Sequence, residues 1–212
     1  SLTASLYFDS YRFPWLRYNM DAPSTGNEMF LDLNYSFNDE KTLYFRYKQD
    51  VRNENNADNL LSGLQTVQNS RYRLHFKSAI TENIRWSNRI ELADYKEGKH
   101  RETGWMVYQD LKYGFNGFPL SFTIRYAFFD TESYATRIYA YEHDLLYAFA
   151  IPAYYSKGYR TYINLHYDRG NIDLYGKVAQ TKYMDKEEIG SGAAMIEGNT
   201  KTEAKLQLII KF

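Results

Sequence analysis

The side chains of this chain that could do chemistry are mainly cations. Arg46, Lys48, Arg71, Arg73, Lys77, Arg85 and Arg89 fall in three neighbouring stretches, each beside an apolar or aromatic residue. In an extended chain, side chains alternate between two faces, so this spacing gathers the cations on one face. A basic wall attracts anions and would bias a pore toward them. The acids Asp32, Glu91 and Asp110 fall on the same polar faces. The cations are therefore equally available for cross-strand ion pairs, which need no ligand at all. Lys plus Arg and Asp plus Glu balance at 26 each, so net charge favours no class of partner.

A second constellation is His166 with Asp173. A turn at Arg169-Gly170 would set the two opposite each other. A histidine oriented by a carboxylate is half of a nucleophilic triad. No serine is placed with them by spacing, and the chain has only four His. The plainer reading is a hydrogen-bonded pair lining an interior, and no catalytic residue is assigned. There is no Cys, hence no disulfide framework and no thiolate metal site. No His/Cys spacing suits a metal, no Gly-rich loop suits a phosphate, and Asp185-Lys-Glu-Glu188 does not match a calcium-binding loop. Neither cofactor nor metal is expected.

The elements that must position these residues are strands. The last eleven residues, Thr202 to Phe212, show the pattern: Ala204, Leu206, Leu208, Ile210 and Phe212 alternate with Glu203, Lys205, Gln207 and Lys211, with Ile209 as the exception. Their length suits one tilted crossing of a bilayer, about 9–11 residues. Similar alternation starts at Leu2 and recurs at Met29–Phe37, Leu43–Lys48, Arg71–Lys77, Ile84–Leu92, Trp105–Tyr113, Phe118–Phe128, Tyr159–Tyr167 and Ile172–Tyr183. Short turns fall at 39–41, 81–83 and 116–117, and longer connections at 51–69, 96–101 and 184–200. The stretch 137–149 is one strand or two. Only a reversal near Glu142-His143-Asp144 keeps every long connection on one side, which predicts strands at 136–142 and 144–154 and twelve in all.

The expected fold class is therefore all-β: an antiparallel up-and-down transmembrane β-barrel of about 12 strands, one domain over residues 1–212. No run approaches the length of a transmembrane helix, and the first residues do not read as a signal peptide. A soluble β-sandwich or calyx would also alternate. Against it stand the 22 Tyr, 13 Phe and 3 Trp, many of them near strand ends, and the long cations on the opposite faces.

The segments Arg137 to Phe149 and Tyr154 to Arg160, with Ile189-Gly-Ser-Gly192 and Glu197 to Glu203, resemble the C-terminal outer-membrane barrel part of Bacteroidota proteins of the helix-hairpin-helix (ComEA-like) kind. The likeness covers about the last third of the chain. It implies a bacterial outer-membrane location and makes the chain the C-terminal part of a longer protein. The helix-hairpin-helix that grips DNA is not in this sequence, so no nucleic-acid partner carries over, and no catalytic residue can be transferred. The terminal Phe212 resembles the signal read by barrel-assembly machinery.

Three functions follow as expectations. The first is a non-enzymatic barrel, anchoring or assisting an envelope assembly, with outer-membrane lipid and other envelope proteins as partners. The others are a narrow, porin-like, anion-preferring passive channel and a membrane-embedded hydrolase. Pairing follows from the turns. Thr81-Glu82-Asn83 sets Ile80 against Ile84, hence Leu74 against Ile90, Tyr72 against Leu92 and Arg73 against Glu91. The 39–41 turn sets Asp32 against Lys48. A two-residue Asn116-Gly117 loop sets Tyr113 against Leu120 and Tyr108 against Arg125. The first strand should close on the last, with Leu206, Leu208, Ile210 and Phe212 facing lipid, and side chains should fill most of the bore.

Overall fold

A computed structural model describes residues 1–18, 20–55 and 63–212. Its strands in chain order are β1 (Leu2–Phe13), β2 (Ser24–Ser36), β3 (Lys41–Asn55), β4 (Leu64–Ala79), β5 (Ile84–Glu97), β6 (His100–Gly114), β7 (Leu120–Thr131), β8 (Ile138–Tyr139), β9 (Ala153–Tyr154), β10 (Lys157–Arg169), β11 (Ile172–Tyr183), β12 (Glu188–Ile189), β13 (Ile196–Glu197) and β14 (Thr200–Ile210). Ten of them form one antiparallel sheet in the order β1-β2-β3-β4-β5-β6-β7-β10-β11-β14. The pairs β8–β9 and β12–β13 are two-residue ladders outside it.

Two features of the expected barrel are corrected. The strands anticipated at 136–142 and 144–154 are not in the wall, since β7 pairs directly with β10. Pro152 cannot donate to a ladder, and Tyr147 has the left-handed φ of 63°, so 144–154 cannot run as a regular strand. Closure is the second: among the described residues the sheet order ends at β1 and β14, which do not pair with each other. Residues 96–101 form a tight turn at Gly98-Lys99 rather than a loop, with Gly98 in the left-handed region that favours glycine. Strand pairing also extends through 51–55 and 64–69. The middle of that expected polar loop, residues 56–62, lies outside the described residues.

Registers divide the same way. The 81–83 turn behaves as expected, with Ile80 donating to the Ile84 carbonyl at 2.9 Å. Tyr72 pairs with Leu92, Arg73 with Glu91 and Leu74 with Ile90. Asp32 pairs with Arg46 instead of Lys48, one step of two along the strand. The Asn116-Gly117 register is also displaced by two: Tyr113 meets Phe122, and Arg125 meets Asp110 rather than Tyr108. Only Gly117 there has positive φ, and the connection spans 115–119. A shift of two leaves every residue on its face, so hydrophobicity cannot choose between the registers. The observed one gives the buried Arg125 a carboxylate, and a buried charge left unpaired costs several kcal/mol.

The two faces of the sheet differ in kind. Ile90, Leu92, Trp105, Ile124, Leu174, Leu206, Leu208 and Ile210 stand exposed on one face, as does Phe212 beyond β14. The other face carries Arg89, Glu91, Asp110, Arg125, Arg160 and Lys177, all buried. What buries them is residues 132–156, which leave β7, pass over this inner face and return to β10. Thr131 donates to the Ser156 carbonyl at 2.9 Å and closes the neck of the excursion. Ile138, Ala140 and Tyr154 of the segment pack with Ala93, Met106, Tyr108, Ala127 and Phe129 of the wall. Gly104 on β6 permits the approach: a Cβ there would sit 2.9 Å from the Thr136 carbonyl oxygen.

Candidate functional site

The site is the charged ladder between the inner face and the crossing segment. In an extended stretch, alternate carbonyls point the same way. Those of residues 137, 139 and 141 point at three wall arginines. Arg71 Nη1 on β4 donates to the Arg137 carbonyl at 2.9 Å, Arg89 Nη2 on β5 to that of Tyr139 at 3.1 Å, and Arg125 Nη1 on β7 to that of Tyr141 at 2.6 Å. Arg89 and Arg125 are already neutralised by wall acids. Arg89 pairs with Glu91, which also accepts from Arg73 Nε at 2.8 Å. Arg125 makes a bidentate pair with Asp110, both contacts at 2.6 Å, and stacks 3.7 Å from the Tyr108 ring centre.

Farther along, the segment itself supplies the charge. Glu142 is fully buried and accepts from Arg160 Nε at 2.6 Å, Lys177 Nζ at 3.1 Å and the Tyr154 hydroxyl at 2.9 Å. Asp144 takes Lys205 Nζ at 2.7 Å and Lys177 Nζ at 3.5 Å. The His143 N–H between them donates to the Tyr162 hydroxyl at 3.2 Å. Burial alone would raise the Glu142 carboxyl; Arg160 and Lys177 outweigh it and hold the group below the usual carboxylate range.

The residues singled out from sequence share the inner face but not one role. Arg46 binds Asp32 at 3.0 Å, an oxygen it shares with the Tyr44 hydroxyl, and Lys48 binds Glu28 at 2.8 Å. Arg71, Arg73, Arg89, Glu91 and Asp110 belong to the ladder. Lys77 and Arg85 have no acid within salt-bridge distance among the described residues. They line a cavity of ≈ 510 Å³ with Lys112, Ser87 and Thr123 near the 80–83 turn. His166 and Asp173 are not directly opposite, since His166 pairs with Tyr175 and Asp173 with Asp168. The two-residue connection Gly170-Asn171 sets this register, and His166 Nε2 lies 4.0 Å from Asp173 Oδ1, beyond hydrogen-bond length. Ser121 stands opposite His166 on β7, but no hydrogen bond joins its hydroxyl to the imidazole among the described residues, so no nucleophile–base pair is assembled.

Sequence reasoning missed Glu142, Asp144, Arg160, Lys177 and Lys205 as partners. One signal was available. Glu142 and Asp144 sit in a stretch too interrupted to be wall, while Arg160, Lys177 and Lys205 stand on the polar faces of the last strands.

No family model matches the chain, and no curated protein matches it. Among solved structures it is similar to the copper transporter OprC, at 9% identity and a TM-score of 0.42, over 88% of this chain and 34% of that one. The chain thus spans about a third of that structure's length.

Proposed function

We propose that this chain is part of the wall of a bacterial outer-membrane β-barrel that acts without catalysis, as a membrane anchor or accessory subunit of an envelope assembly. The observation that carries the reading is the inverted distribution of side chains: Leu, Ile and Trp bare on the outside, Arg, Glu and Asp buried beneath the chain's own segment. A soluble protein rarely leaves so extended an apolar face uncovered. A bilayer is the solvent that such a face suits, and paired strands satisfy the backbone there. Among the described residues no helix is long and apolar enough to cross a membrane. The unpaired edges of β1 and β14 call for further strands to complete the wall, because an open edge leaves unsatisfied N–H and C=O groups in lipid.

The anchor reading is favoured over a conduit because residues 132–156 lie across the inner face and bond Arg71, Arg89, Arg125, Arg160, Lys177 and Lys205 there. The channel reading draws on Lys77, Arg85 and Lys112, cations that line a cavity together with Asp39, Glu40 and Asp110 and that have no acid within salt-bridge distance among the described residues. Planar-bilayer recording separates the two. The anchor reading expects small or undetectable conductance from the purified protein; a large, stable, anion-selective conductance would replace it with the channel. The hydrolase reading would need a nucleophile engaged with His166, and among the described residues no hydroxyl is hydrogen-bonded to that imidazole.

A further inference from the structure

The turn end of β10 and β11 presents an arrangement that the wall does not need. Asp168 and Asp173 are directly opposite in the ladder, and His166 shares their face. Like charges directly opposite destabilise a sheet. Asp173 is 4% exposed, and only its Oδ2 is matched, by Lys211 Nζ at 2.8 Å. Asp173 Oδ1 and His166 Nε2 are both buried without a hydrogen-bond partner among the described residues. They face each other at 4.0 Å, too far for a hydrogen bond. The imidazole does not swing freely: it stacks on Tyr175 with centres 4.2 Å apart and planes 7° from parallel. The Asp168 N–H is tied to the Pro119 carbonyl at 2.9 Å, which fixes the backbone beneath the third group. One ligand atom from each of the three residues lies within 4.8 Å of the others.

We propose that His166, Asp168 and Asp173 form a binding site for a divalent transition-metal cation of the Zn²⁺ kind. With metal–nitrogen and metal–oxygen distances of about 2.0–2.2 Å, ligand atoms on one ion stand about 3.4 Å apart in a tetrahedral arrangement and about 4.2 Å apart when opposed. The 4.0 Å between His166 Nε2 and Asp173 Oδ1 lies inside that interval, and an ion held there would draw in the exposed Asp168 carboxylate, whose set with the other two closes only to within 4.8 Å. A cation would join two buried atoms that now have no hydrogen-bond partner, and would relieve the repulsion between the paired carboxylates. The mixed imidazole and carboxylate set suits Zn²⁺, Co²⁺ or Ni²⁺. Ca²⁺ wants six or more oxygens, and Mg²⁺ prefers an all-oxygen shell with several waters. Bound there, the ion would strap β10 to β11 beside Lys211, just beyond β14. This departs from the sequence-based expectation of no metal, which rested on spacing along the chain; the ligands converge only through the register.

The test titrates Zn²⁺, and Co²⁺ as a spectroscopic probe, into the purified protein in detergent micelles. The expected result is one ion per chain, with Co²⁺ bands showing nitrogen and oxygen ligation. His166→Ala and Asp173→Asn should each weaken binding at least tenfold, and Asp168→Asn several-fold. Lys211→Met removes a competing cation from Asp173 and should tighten binding. Circular dichroism checks that each variant folds. If Asp173→Asn does not, the exposed Asp168→Asn and the Lys211→Met variants decide. Absence of stoichiometric binding, binding indifferent to His166→Ala, or weaker binding by Lys211→Met would overturn the assignment.

Discussion

The crossing segment is held in two different ways along its length. Over β4, β5 and β7 it offers neutral carbonyls to wall arginines, two of which already own a carboxylate. Over β10, β11 and β14 it offers Glu142 and Asp144 to wall cations, of which Arg160 also holds Glu203 at 3.2 Å while Lys177 and Lys205 find their acids only in the segment among the described residues. The first half could be lifted away and leave Glu91 and Asp110 still paired. Lifting the second half would leave Lys177 without either of its acids. One end is therefore fastened by geometry and the other by charge balance. Electrostatics in a low-dielectric setting makes the second fastening the stronger, because an unpaired buried ion costs more than a lost hydrogen bond.

Substitutions should rank accordingly. Glu142→Ala leaves Arg160 and Lys177 facing each other without their shared carboxylate and should destabilise the fold by about 3–5 kcal/mol in chemical unfolding. An equal effect from truncating Arg71 would erase the distinction between the halves. On the outer face, Ile124→Arg should cost about 2–4 kcal/mol when unfolding is followed in lipid vesicles, and Ser87→Arg, on the inner side, much less. Arg71→Met removes one charged donor to a carbonyl and should cost about 1.5–3 kcal/mol, with β4 otherwise intact. Acidification sharpens the comparison at its charged end. The Glu142 carboxyl is depressed in the fold, so its contribution is present above the ordinary carboxylate range and is lost as pH falls through the lower, folded value. Glu142→Gln should flatten that part of the stability–pH curve. The smallest effect is expected at Lys48–Glu28, a partly exposed pair, where Glu28→Gln should change stability by about 0–1 kcal/mol.

How much could be read from the sequence depends on which force decided each feature. The β4–β5 register was legible because a three-residue turn and the two faces agree; Thr81 Oγ1 accepts from the Ile84 N–H at 3.1 Å and locks it. The alternation of Leu206, Leu208 and Ile210 against Lys205 and Gln207 likewise announced which face is which. The register at Asn116-Gly117 was not legible, because displacement by two leaves the pattern of faces unchanged and only the Asp110–Arg125 pair distinguishes the options. The segment at 136–154 misled for a related reason. Counting strands by the side on which long connections fall is arithmetic modulo two: two extra strands and none satisfy it equally. Its alternation is real, with Ile138, Ala140 and Glu142 turned to the wall, but alternation reports a half-covered extended chain and not which surface covers it.

The central claim is that the apolar face meets lipid while the charged face meets the chain's own segment. Because the sequence has no Cys, single labels are readily placed. Nitroxides at Ile124→Cys and Leu174→Cys, on the outer face, and at Ser87→Cys, on the inner face, can be compared in vesicles for collision with oxygen, which concentrates in lipid, and with a water-soluble nickel chelate. The account predicts that the Ile124 and Leu174 labels collide freely with oxygen and hardly with nickel, whereas the Ser87 label is shielded from lipid. Nickel reaching Ile124 and Leu174 as readily as oxygen would place that face in water and contradict the account.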